Sequence, residues 1–162
     1  MKRQYYIGPS ILSVALIIMF DQLTKWMIAT KMTIGDSYII IPNFLSITSH
    51  RNNGAAWGIL SGKMTFFYIV TIVILIALIY FYIKEAQYQF MMQLSLSLLF
   101  AGAIGNFIDR LLRGEVIDFI DTFIFGYDFP IFNIADSSLT VGVILLIIVL
   151  LRDTQSKDEV RK

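Results

Sequence analysis

The sequence predicts an all-α polytopic membrane protein: four transmembrane helices carrying a small extracytoplasmic β-sheet and an interfacial amphipathic helix. Three observations predict it. Of 162 residues, 57% are hydrophobic and only 15% charged, and mean hydropathy is +0.71, where a soluble domain is nearer half apolar and a quarter charged. Four apolar runs, at residues 5–30, 64–83, 90–108 and 132–151, are long enough to span a bilayer. The polar residues gather in the connections and at the ends of those runs. The length suits one domain, residues 1–162.

The first run follows Lys2 and Arg3. A basic start with a short apolar core also describes a secretory signal peptide, but no small-x-small cleavage pattern follows. Instead the helical pattern continues through Asp21-Gln22-Leu23-Thr24-Lys25-Trp26. Residues 5–30 then cover about 39 Å as a helix, and Asp21 lies about 14 Å short of its end. Lys25, four residues on, shares its face. An internal ion pair that braces helices is one reading, and direct catalysis by Asp21 is the other.

Residues 31–63 differ in kind. Gly35-Asp36 and Pro42-Asn43 are turn signals, so residues 38–41 and 44–49 read as short strands. His50-Arg51-Asn52-Asn53-Gly54-Ala55-Ala56-Trp57-Gly58 follows. Asn53-Gly54 is a tight-turn pair. The polar group beside small residues and one Trp also suits a close-approaching substrate at interfacial depth.

Residues 64–83 carry no charge and read as the second span; Lys84-Glu85-Ala86-Gln87 is a polar connection. The third span includes Ala101-Gly102-Ala103-Ile104-Gly105, small residues that let backbones approach. Asn106, Asp109 and Arg110 follow on one face. They form either a polar cap on the span or groups that orient a neighbouring site. Residues 115–125 set Asp118 and Asp121 among Val116, Ile117, Phe119 and Ile120, a pattern read as the interfacial amphipathic helix. Gly126-Tyr127-Asp128-Phe129-Pro130 reads as a turn, and the last span carries Asn133 and Asp136 in its first turns.

Four spans put both termini on one side. Lys2, Arg3, Lys84, Arg152, Lys157, Arg161 and Lys162 then face the cytoplasm, against Lys31, Arg51, Lys63, Arg110 and Arg113 outside, a modest positive-inside bias. The polar clusters around Asp21, Asn53, Asn106, Asp118 and Asp136 then all fall on the extracytoplasmic half.

Composition also narrows the chemistry. A net charge of +1 offers no footprint for nucleic acid. The chain has no cysteine and a single histidine, His50, so thiolate chemistry is excluded and no metal site or cofactor is expected. Carboxylates remain, and acids beside membrane-spanning runs are costly enough to suggest function. Two carboxylates in a partly dry site share one proton. The charged member can take a proton from water while the neutral one donates to a substrate carbonyl, which hydrolyses a peptide without a covalent adduct. Asp118 and Asp136 are the candidates, with Asp109, Asp121 and Asp128 competing; Asn53, Asn106, Arg110 and Asn133 are possible donors to substrate. A rival reading is a small proton-coupled transporter with Asp21, Asp109 and Asp136 as a relay through the bilayer.

Asp21-Gln-Leu-Thr-Lys25, Asn53-Gly-Ala-Ala-Trp-Gly58, Gly105-Asn-Phe-Ile-Asp-Arg110, Val116-Ile-Asp-Phe119 and Phe132-Asn-Ile-Ala-Asp136 resemble, in order, the motifs of the bacterial lipoprotein signal peptidases. The resemblance runs through essentially the whole chain; Trp57 stands where many members carry Phe. It implies an aspartic endopeptidase of the bacterial cytoplasmic (inner) membrane. Such an enzyme cuts diacylglyceryl-modified prolipoproteins just before the lipidated cysteine. It also implies Asp118 and Asp136 as the catalytic pair; membrane lipids as neighbours and a monomer are expected besides. Support falls on Asn53, Gly54, Asn106, Asp109, Arg110 and Asn133, with Asp21 and Lys25 structural.

Overall fold

The computed structural model describes residues 4–54 and 59–160, without the side chains of 154–160. Lys2, Arg3, Trp57, Arg161 and Lys162, which enter the sequence reading, lie outside the described residues, as does the side chain of Lys157. In chain order the elements are α1 (Ile7–Lys31), β1 (Ser37–Ile41), β2 (Leu45–Asn52), α2 (Met64–Lys84), α3 (Phe90–Arg113), β3 (Val116–Ile124), β4 (Tyr127–Phe132) and α4 (Ile134–Val160). The four helices are each long and apolar enough to cross a membrane.

The helix α3 is the centre of the bundle, packed against the other three. It is also the helix with the most buried polar residues, among them Gln93, Ser95, Asn106 and Asp109. By contrast α2 is apolar on every side and buries no residue fully, as expected of a helix facing lipid. Glycine brings α3 and α4 together. A Cβ on Gly102 would collide with the Ala135 carbonyl and Leu139, and one on Gly105 would lie 2.7 Å from the Asp21 carboxylate and 3.0 Å from Ala135 Cβ. At the other end of the bundle, Gln93 ties the chain start to the α2–α3 connection. It accepts from the Tyr6 N–H at 2.7 Å and donates to the Ala86 carbonyl at 2.8 Å.

The strands form one antiparallel sheet, β1-β2-β3-β4. Residues 115–125 are therefore not an interfacial helix: β3 occupies them and pairs with both β2 and β4. The apolar spacing there admits either period. β-branched and aromatic residues (Val116, Ile117, Phe119, Ile120, Thr122) fit a pleated strand better, and the available partners decide the outcome. Two further boundaries move. The strand β2 runs on through His50-Arg51-Asn52, beyond the expected 44–49, and the turn expected over 126–130 shrinks to Phe125-Gly126, with Pro130 inside β4. Proline is tolerated because β4 is an edge strand. The helix α4 runs on past the apolar stretch 132–151 into the charged tail, to Val160.

The sheet lies across the end of α1. Ile28 and Met32, in the last turn of α1 and just beyond it, pack with Ile117, Phe119, Ile47 and Ile134. This contact and the short links from α3 to β3 and from β4 to α4 hold the sheet against the helix ends.

Gly105→Ala is expected to cost about 1–3 kcal/mol, because the added methyl has only Asp21 and Ala135 to displace. Thermal unfolding in detergent measures this, and an unchanged midpoint would show that the α3–α4 approach has slack.

Candidate active site

The two candidate acids come from different elements. Asp118 sits in β3 and is 2% exposed; Asp136 sits in the first turn of α4. One residue joins them. Asn133, fully buried, donates from Nδ2 to Asp118 Oδ1 at 2.6 Å. Its backbone N–H donates to Asp136 Oδ2 at 3.2 Å, while its Oδ1 accepts from the Asp136 N–H at 3.0 Å. The last two bonds are a reciprocal capping box, with aspartate in the place usually held by glutamate or glutamine. Capping α4 thus aims Asp136 and leaves the Asn133 amide hydrogens free to reach Asp118.

A second asparagine supports the first. Asn106 Nδ2 donates to Asp136 Oδ1 at 2.7 Å, and Asn106 Oδ1 accepts from Asn133 Nδ2 at 3.1 Å and from Lys25 Nζ at 3.0 Å. The ammonium orients this amide, since only its oxygen can face a cation.

Lys25 has no exposed side-chain surface and spends its three N–H donors on Asn106, Asp21 (2.9 Å) and Asp109 (3.1 Å). Each acid has further partners. Asp21 Oδ1 accepts the Ala135 N–H at 2.9 Å, an orphan donor of the α4 N-terminus. Asp109 accepts the Ile117 N–H at 3.2 Å and Arg113 Nη1 at 2.9 Å. The Asp21–Lys25 ion pair read from helical spacing is present, and Asp109 shares the same ammonium. A relay through the bilayer does not fit this placement: Asp21 and Asp109 meet on one ammonium, two bonds from Asp136, so the three acids gather at one end of the helices.

The loop after β2 contributes unevenly. Asn53, the expected support, is exposed, and its Oδ1 accepts from the Ser61 hydroxyl. Its neighbour Asn52 meets the dyad, with Nδ2 donating to Asp118 Oδ2 at 3.0 Å. Sequence reasoning missed Asn52 because in Asn52-Asn53-Gly54 either asparagine can precede the turn. The signal that separates them is strand alternation carried on from β2, in which Asn52 is opposite Val116 and still in register. Gly54 is buried and serves both sides: its N–H donates to Asn52 Oδ1 at 2.9 Å and its carbonyl accepts Arg110 Nη2 at 3.3 Å. The Arg110 guanidinium lies over the Phe67 ring at 4.7 Å and contributes positive charge to both acids. Asp121 instead accepts Thr48 Oγ1 at 2.7 Å, and Asp128 is exposed in β4.

Burial, first, and the negative charge of Asp136, second, push the Asp118 carboxyl up to about 6; the bonds from Asn52 and Asn133 and the more distant Lys25 charge oppose that rise. A carboxyl near 6 in the field of a second carboxylate is partly protonated at mildly acidic pH, so one acid can carry a proton while the other is ionised, as acid–base hydrolysis requires. Among the described residues no group of three or more His, Cys, Asp or Glu is placed to hold a metal ion.

Residues 13–152 match the family model described as Signal peptidase (SPase) II. The chain is 71% identical over 159 residues to the lipoprotein signal peptidases of Staphylococcus aureus strains JH9 and N315, covering 98% of each sequence. Among solved structures it is similar to a bacterial membrane enzyme determined by the in meso method at 2.3 Å resolution, with TM-score 0.92 and 71% identity over 97% of this chain and 96% of that one. A second such structure, at 1.9 Å, gives 0.87 and 72% over 94% and 99%.

Lys25→Met is expected to destabilise the protein by about 3–5 kcal/mol, because Asp21 and Asp109 stay buried without their shared cation. Adding Asp21→Asn to that variant removes one uncompensated charge and should recover part of the loss. Thermal melts of the single and double variants decide it; a double variant less stable than the single would refute the ion-pair account.

Proposed function

The chain belongs to the signal peptidase II family, and we propose that Asp118 and Asp136 are its catalytic pair. Signal peptidase II enzymes are aspartic endopeptidases, and the fold and family agree on a membrane-embedded enzyme. The substrate we assign is a prolipoprotein already carrying diacylglyceryl on its lipobox cysteine, cut on the amino side of that cysteine. The carrying observation is Asn133, which bonds both carboxylates at once.

In the proposed reaction the dyad holds one proton and a water lies between the acids. The ionised carboxylate removes a proton from the water as its oxygen adds to the scissile carbonyl carbon, and the protonated partner gives its hydrogen to the carbonyl oxygen. A tetrahedral diol results. The first carboxyl then protonates the leaving cysteine nitrogen, the second recovers its proton from a diol hydroxyl, and the C–N bond breaks with the dyad restored. Asn52, Asn106 and Asn133 hold the carboxylates in place, and Arg110 offsets their charge. Asn53, exposed on the loop that Gly54 ties to Asn52 and Arg110, is the residue we assign to contact with an incoming peptide backbone.

The enzyme is placed in the cytoplasmic membrane with both termini inside and the dyad on the outer side. The acids, the sheet, the C-terminal ends of α1 and α3 and the N-terminal end of α4 gather at one end of the bundle. The Tyr88 N–H donates to the Gln4 carbonyl at the other end, beside Lys84, which supports that orientation. A monomer suffices, since all groups of the pair come from one chain. Membrane lipids surround it, and the lipid-anchored substrate arrives by lateral diffusion.

Asp118→Asn and Asp136→Asn are each expected to lower cleavage of a diacylglyceryl-modified prolipoprotein by about 10²–10⁴-fold with the fold intact. Wild-type turnover by either folded variant would remove that residue from the pair.

The pH profile gives a second check. Asp118 is raised from 3.8 to about 6, so its protonated form is favoured by folding. The associated stability is complete below the unfolded value and is lost as pH rises through about 6. Activity follows the same proton, and kcat/KM is expected to fall as pH climbs past that value. Asn52→Ala removes a bond to the charged form, so the alkaline limb should move to higher pH. A limb that stays in place would mean that another group controls it.

A further inference from the structure

The end of the sheet farthest from Asp118 is apolar, exposed and in part strained. The β1–β2 turn and the β3–β4 turn lie side by side there, joined by the Phe123 N–H donating to the Phe44 carbonyl at 2.9 Å. On the first turn Ile39, Ile40, Ile41 and Phe44 are exposed; on the second, Phe123, Phe125 and Tyr127. Residues 39–44 and 123–127 contain no charged side chain. Soluble surfaces rarely collect apolar groups in this way unless something covers them.

The turn at Phe125-Gly126 makes the point more sharply. Both residues have positive φ, +50° and +83°, the two-residue hairpin geometry that favours Asn-Gly. Phenylalanine in the left-handed region is strained, and this one has 105% relative exposure, so no contact within the protein compensates. Asparagine or glycine would relieve the strain and the exposure together. A strained ring with no contact inside the protein points to a role outside it.

We propose that these two turns form a wedge inserted into the lipid surface, anchoring the sheet at the depth of the acyl–headgroup boundary. The proposal rests on the membrane reading of the four helices. It follows from continuity with their lipid-facing surface: the sheet lies across the end of α1 through Ile28, Ile117 and Phe119. From Phe119, packed on the end of α1, the strand runs on about 20 Å to the exposed Phe125 tip. Without cations the wedge binds by apolar burial rather than by attraction to anionic headgroups. Asp128 and Pro130 on β4 discourage pairing of that edge with a second copy. The consequence is positional. Asp118 is on the same strand as the wedge, so lipid contact at one end of β3 sets the height of the carboxylate at the other.

The chain has no cysteine, so Phe125→Cys and Ile40→Cys each give one labelling site for an environment-sensitive fluorophore. In phosphatidylcholine–phosphatidylglycerol vesicles both labels are expected to emit at shorter wavelength, to be quenched by lipids carrying a nitroxide on the acyl chain, and to resist iodide. Iodide quenching without nitroxide quenching overturns the proposal. So does self-quenching that vanishes on dilution of the enzyme in lipid, which places a second copy on the wedge. These readouts need no cleavage and stand apart from the dyad assignment. In the functional arm, Phe125→Asn combined with Ile40→Asn should slow prolipoprotein processing in vesicles about tenfold, by loss of apolar anchoring, and leave it within about twofold in detergent micelles. An equal fall in both media would assign the wedge to substrate handling, and no fall in either would deny it an anchoring role; both outcomes defeat the proposal.

Discussion

A buried ammonium organises this molecule. Lys25 has no exposed side-chain surface, and such a charge persists only if each of its donors finds an acceptor. The acceptors are Asp21 on its own helix and Asn106 and Asp109 on α3. Each passes the constraint on. Asp21 caps an N–H of α4, Asp109 binds the N–H of Ile117 near the start of β3, and Asn106 donates to Asp136. The three bonds of one lysine thereby locate α4, β3 and the Asp136 carboxylate together.

Folding and chemistry meet most closely at the start of α4. A helix N-terminus offers unpaired N–H groups and a positive end of its dipole, which suits carboxylates. Here Asp136 and Asp21 supply two of them. Asn133 is both the cap and the bridge to Asp118, so the dyad takes its geometry from ordinary helix capping. That start sits against α3 only because Gly102 and Gly105 carry no side chains. Close approach of two backbones is thus a condition for bringing the two acids within reach of one asparagine.

Much of this was legible in the chain. The four spans follow from uninterrupted apolar runs, a local property, and appear within a few residues of the expected limits except where α3 and α4 run on past their apolar stretches. Asp21-Lys25 reads as a pair because helical spacing alone places the two on one face. The failures share a cause. Residues 116–124 are apolar in a pattern that fits two periods, and strand partners from residues 45–52 and 127–132 chose between them. The motif resemblance names Asn53 and leaves out Asn52, whereas the register of β2 against β3 brings Asn52 to Asp118.

By itself, then, the sequence determined the membrane architecture, the acids available for catalysis and the family, because these depend on composition, run length and ordered motifs along the chain. Tertiary structure decided which residues meet. Asn133 joins Asp118 to Asp136, Asn52 reaches Asp118 from the neighbouring strand, and Lys25 gathers two acids and an amide. Those contacts join residues far apart in sequence, through strand register and helix packing, and a shift of one residue in register turns a side chain to the opposite face. Local pattern cannot carry that information, because it resides in the pairing of distant elements.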